Sequence, residues 1–207
     1  VCSSDLWRSD YPIIFRFLFR VHAIIIHKQK IRDGQIRVVL FTKEFGKITT
    51  WYKKQTCPWI GSVNEIHIER NGWQNHIKNI ETIHTISWER WKYEEVMEFL
   101  RILQTLYELL PDSSEHITIY EDMEKMLFFI EESNSKVQTL FLTHIRILKK
   151  LWSLKEDMFT GENILRYIYI HIDKKSMESI LTSNTINLWH IHTLKKAVEE
   201  SRYSALI

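Results

Sequence analysis

The chain has 207 residues, 44% hydrophobic and 26% charged, with five glycines, three prolines and two cysteines. That composition excludes a disordered chain and a disulfide framework, and leaves one large domain or two small ones rich in long elements. The net charge of +2 hides an asymmetry: thirteen Lys and Arg stand against six Asp and Glu up to Ile80, then fifteen against twenty, so the first portion suits a polyanion.

Residues 1–6, VCSSDL, back-translate to GTG TGC TCT TCC GAT CT, the end of a common sequencing adapter, and the first methionine is Met97. Residues 1–19 are therefore read as a leader of adapter-derived or uncertain origin and carry no weight in the fold. From Arg20 the pattern is strand-like through Val21, Ala23 and Ile24–Ile26 to Lys28, followed by a loop with Lys30, Arg32 and a turn at Asp33-Gly34. Residues 36–54, IRVVLFTKEFGKITTWYKK, read as a hairpin. Ile36, Val38, Leu40 and Ile48, Thr50, Tyr52 alternate with their neighbours, and Gly46 is free to take the positive φ that closes the turn. VNEIHIE (residues 63–69) alternates again, and Asn71-Gly72 is a hairpin signal before residues 76–86. Five strands with a basic first loop predict a small antiparallel barrel of the OB type over residues 20–86, whose second and third strands and connecting loops would face nucleic acid.

After Ser87 the period changes to about 3.6. Residues 88–110 place Trp91, Val96, Phe99, Leu100, Leu103, Leu106 and Leu110 on one face and Glu89, Glu94, Glu95 and Glu98 outside, with Ser87 as N-cap and Pro111 as stop. Further helices are expected over 117–132 and 135–154, over 161–172 as a helix or a strand, and over 174–181 and 188–203. The predicted class is therefore α+β in two domains, with the barrel to residue 86 and an all-α domain over 87–207.

The chemistry suggested by the first portion is that of a phosphodiester grip. Lys28, Lys30, Arg32, Arg37, Lys43, Lys47, Lys53, Lys54 and Arg70 supply cations, and Trp51, Tyr52, Trp59 or Trp73 would supply faces for stacking. The alternative for the second strand is two core aromatics beside a solvated lysine edge, since small barrels fill their interiors with such side chains. Ten histidines raise a metal reading, with His67, His76 and His84 on neighbouring strands, yet no clustered cysteine or carboxylate set accompanies them. No phosphate-binding Gly-rich loop, Gly-x-Ser-x-Gly elbow or His-Glu-x-x-His motif occurs, so the expectation is a non-enzyme with no cofactor and no metal. No apolar run approaches the roughly 20 residues of a membrane helix, and the two cysteines have no redox spacing; an intracellular, cytoplasmic protein is expected.

VVLFTKEFGKI (residues 38–48), the preceding HAIIIHKQKIRDGQ and the following WYKK resemble the bacterial DNA repair protein family RecO. The order of elements agrees: barrel, long helix, a break at LLPDSS, then helices like YEDMEKMLFFIEES and TLFLTHIRILKKLW. No cysteine follows Cys57, so the resemblance is to a zinc-less form, and the basic segment after the third strand is thinned to Lys53-Lys54. The resemblance implies a nucleoid-associated mediator that binds single- and double-stranded DNA, anneals complementary strands, and works with RecR and single-stranded-DNA-binding protein to load RecA. Arg146, Lys149, Lys150 and Trp152 would rim an apolar groove suited to the acidic C-terminal tail of that binding protein. The competing readings are a core helix with a basic edge at that point and, for the whole chain, a protein–protein adaptor or an RNA-binding barrel.

Overall fold

Residues 23–26 and 38–41 are apolar at successive positions because both faces of their strands are covered. The computed structural model describes residues 16–31, 34–53, 57–151 and 163–173, with Thr193 and Lys196. Its strands are β1 (Arg16–Lys30), β2 (Ile36–Thr42), β3 (Gly46–Tyr52), β4 (Val63–Asn71) and β5 (Gln74–His84). A 3-10 turn (Trp88–Arg90) leads to α1 (Tyr93–Leu109), α2 (Ile117–Phe129), α3 (Lys136–Lys150) and α4 (Asn163–His171). The class is α+β, as expected.

The strands form one mixed sheet in the order β1-β2-β3-β5-β4, which closes because β4 also pairs with β1. A wholly antiparallel sheet was expected, and this is corrected: β3 and β5 run parallel and meet in the single pair Trp51↔His76. The reason is arithmetic. A ring with an odd number of strands cannot alternate direction all the way round, so one neighbouring pair must be parallel. β1 begins earlier than residue 20, because Arg16 to Phe19 pair with Asn71 to Ile68 of β4. Its first half pairs with β4 and its second with β2, with a bulge between Ile25 and His27 bending it from one to the other.

The period of two then sorts side chains. Val21, Ala23, Ile25, Val38, Leu40, Ile48, Tyr52, Ile66, Ile68 and Ile77 fill the inside of the sheet. Ile24, Ile26, Val39 and Phe41 point outward and are buried with Phe99, Ile102 and Leu106 of α1 and Tyr120 and Met123 of α2. One apolar cluster thus spans sheet and helices across the boundary expected at Ser87, each large buried side chain adding about 1.5–3 kcal/mol.

The turn between β2 and β3 is held by Thr42, whose Oγ1 donates to the Gly46 carbonyl and accepts from Phe45 N–H, both at 3.0 Å. Gly46 takes φ +65, and a Cβ there would run into the Ser114 carbonyl oxygen. The helix expected from residue 88 starts only at Tyr93: Trp91 is extended, and Trp88 and Trp91 fold back onto the Phe99 ring at 5.3 and 5.7 Å. Covering that ring outweighs continuing the helix upstream. Glu95 accepts from Lys92 N–H at 2.8 Å to start α1, and Leu110 is extended before Pro111, which ends it. Residues 163–171 are helical, which settles the helix-or-strand alternative. The helices expected over 174–181 and 188–203 lie outside the described residues, apart from Thr193 and Lys196 in the second.

Glu98, expected on the outer face of its helix, is instead buried against His144, in a polar chain that runs between α1 and α3. Thr105 Oγ1 and His144 Nε2 are 2.9 Å apart, His144 Nδ1 and Glu98 Oε1 3.2 Å, and Arg101 donates to Glu98 Oε2 at 3.2 Å. Each polar group in it has a partner, as burial requires.

Candidate nucleic-acid interface

On β3 the exposure alternates strictly, with Ile48, Thr50 and Tyr52 turned in and Lys47, Thr49 and Trp51 turned out. Cross-strand partners share a face, so the outward set can be followed round the sheet through its register. Trp51 lies opposite Arg37 of β2 and beside His76 of β5. Arg37 lies opposite Gln29 of β1, and His76 opposite Glu69 of β4. A guanidinium, an indole and an imidazole therefore stand side by side on three adjacent strands. Beyond this row, at the same end of the sheet, Lys30 closes β1 and Lys53 follows β3, both exposed. Arg70 and Trp73 stand at the β4–β5 turn, where Arg70 Nε donates to the Gly72 carbonyl at 3.3 Å and Trp73 is 95% exposed.

The other cations expected at the site lie apart from this row. Lys47 shares the outward face of β3, but at the helical end: its Nζ donates to the Tyr107 carbonyl at 2.9 Å and pairs with Asp112 at 3.3 Å, leaving the side chain 13% exposed. Lys43 pairs with Glu121 of α2 at 3.6 Å. Lys28 donates to the Pro58 carbonyl at 2.8 Å, with Trp59 beside it, at a mostly apolar cleft of about 670 Å³ that Ile86, Trp88 and Leu100 also line. Arg32 and Lys54 lie outside the described residues. Tyr52 points into the barrel, so it is core. Burial, and after it the neighbouring Cys57, raises its phenol above the ordinary 10.0. Burial raises the Cys57 thiol as well, against a smaller opposing effect of Lys28.

The cations of α3 are all engaged within the fold. Arg146 Nε donates to the Ile172 carbonyl at 3.1 Å and its guanidinium pairs with Asp122 at 3.5 Å. Lys149 pairs with Asp173 at 2.8 Å and donates to the Tyr169 carbonyl at 2.6 Å, while Lys150 pairs with Asp122 at 2.6 Å. These side chains tie α3 to α2 and to the end of α4; Trp152 lies outside the described residues. The three strand histidines are dispersed in role. His67 leans toward Glu65 at 3.8 Å, His84 contacts the Leu127 carbonyl at 2.9 Å, and His76 stands beside Trp51. Among the described residues no group of three His, Cys, Asp or Glu is placed to hold a metal ion, and no helix is long and apolar enough to cross a membrane.

Sequence reasoning missed His76 as a neighbour of Trp51. The signal was absent because the β3–β5 pairing joins distant residues through one parallel contact. Compared with known proteins, the chain matches no family model and no curated protein.

Proposed function

We propose that the outer wall of the sheet around Trp51 binds nucleic acid without sequence preference, and that the chain is a non-enzymatic mediator of recombinational DNA repair of the RecO kind. In this reading the closed five-stranded sheet is an OB-type barrel, whose second and third strands form the binding face. The observation that carries it is the outward row Arg37–Trp51–His76 with Lys53 next to it and Lys30, opposite the inward Ile36, exposed at the rim. Cations there would release counterions from phosphates, and the indole would stack on a base. Annealing needs backbone charge neutralised and bases left accessible, so the role requires no catalytic group. Single- and double-stranded DNA, RecR and the C-terminal tail of single-stranded-DNA-binding protein are the partners this role implies. The groove for that tail is not placed on the α3 cations, which are spent on Asp122, Asp173 and main-chain carbonyls.

One observation favours the adaptor alternative: Lys28 and Lys47 are engaged within the fold and Lys43 pairs with Glu121 at the surface, which thins the positive surface. Fluorescence anisotropy of a labelled oligonucleotide at two salt concentrations separates the two. The mediator binds at low salt and weakens as salt rises; absence of binding even at low salt rejects it in favour of the adaptor. Preference for structured RNA over single-stranded DNA would point instead to an RNA-binding barrel.

A further inference from the structure

We infer that this face selects an unpaired strand over a duplex, and that Trp73 sets the preference by stacking on an unpaired base. The inference rests on the nucleic-acid reading above and narrows its substrate. Trp73 is the most exposed large apolar side chain among the described residues, at 95%. It stands at the tip of the β4–β5 hairpin, where Gly72 at φ +59 reverses the chain and Arg70 braces the turn through the Gly72 carbonyl. Among the described residues the indole has no ring or cation contact, so they leave its faces open. Phe17 and Leu18, cross-strand from Arg70 and Glu69, are exposed beside the tip of the same hairpin.

Access to base faces decides which nucleic acid fits. Lys30, Arg37, Lys53 and Arg70 stand at this end together with Arg16, which pairs with Asn71, while Glu69, in the same register as Arg37 and Trp51, is taken up by Lys78 at 2.7 Å. A duplex can use only these cations, through its phosphates. It also hides base faces in its own stack, so the indole gains nothing from it. An unpaired strand offers both one backbone and open faces, and stacking then supplies what the cations do not.

The test measures anisotropy for a labelled oligothymidylate and for a hairpin duplex of matched length, with the full chain and with Trp73→Ala and Trp73→Phe. The expected result is tighter binding of the oligothymidylate, by about tenfold or more, with Trp73→Ala weakening it at least about fivefold. Duplex affinity and the salt slope stay as they were, and Trp73→Phe keeps most of the single-strand affinity. Unchanged oligothymidylate binding by Trp73→Ala overturns the inference, as does equal affinity for the two probes or an equal loss on both. A wild-type chain that binds neither probe instead sinks the nucleic-acid reading beneath it. Because Trp73 is fully outside the core, its replacement leaves the fold in place to report.

Discussion

Tyr120 shows how one residue ties packing to pH. Its ring is wholly buried against Phe41, 5.5 Å away, and its hydroxyl faces Glu124 and Glu44 without a well-formed hydrogen bond. Burial first, then those two carboxylates, push its phenol far above the ordinary 10.0. Tyr52 and Cys57 are shifted the same way, chiefly by burial. A raised acid stays protonated in the folded chain at a pH where the unfolded chain has already ionised. Its contribution is therefore complete below the unfolded values, 9.0 for the thiol and 10.0 for the phenols, and is lost as pH rises beyond them. Urea unfolding at pH 8 and pH 11 should show a marked alkaline loss of stability for the wild type. Tyr120→Phe should be within about 1 kcal/mol of wild type at pH 8 and lose less at pH 11. At this scale the sequence was a good guide where a residue's role is local. Gly46 takes the positive φ that its place after Thr-Lys-Glu-Phe demands, because the turn is made by residues within hydrogen-bonding reach of each other. Lys47 was opaque for the opposite reason: its partners, Tyr107 and Asp112, are some sixty residues away.

Pairs of elements are held by polar contacts that periodicity cannot foresee. The α1–α3 packing buries Glu98 and His144 together, with Thr105 and Arg101 completing the chain of hydrogen bonds. Glu98→Gln should cost about 2–3 kcal/mol in urea unfolding, because it removes the carboxylate from two cation-capable partners in a dry contact. A Glu98→Leu, His144→Leu double variant should cost less than the sum of its singles, by about 1 kcal/mol or more. Additive costs would mean the chain of bonds contributes no coupling. Strand extents were legible from alternation, as in β3. The length of β1 was not, since residues 16–19 become strand only by pairing with β4. The start of α1 was misplaced because Trp88 and Trp91 satisfy a helical period and yet pack better folded back on Phe99.

At the scale of the molecule, the mixed class and the division into a basic, strand-rich first half and an acidic, helical second half followed from composition and period. What sequence could not supply is which cations remain available once the two halves pack on one shared cluster. The helical half claims Lys43 and Lys47 through Glu121, Asp112 and Tyr107, and the far end of the sheet keeps Lys30, Arg37 and Lys53. The proposed binding face therefore lies at one end of the sheet and not along the whole hairpin of residues 36–54.

The most direct measurement is the salt dependence of single-strand binding for two variants made in parallel, Arg37→Gln with Lys53→Gln, and Lys43→Gln alone. The first should weaken binding and flatten the slope of log affinity against log salt by about one to two units, while the second leaves both unchanged. A slope that stays as in the wild type when Arg37 and Lys53 are both neutralised, or that falls on removing Lys43, would contradict the assignment of this face.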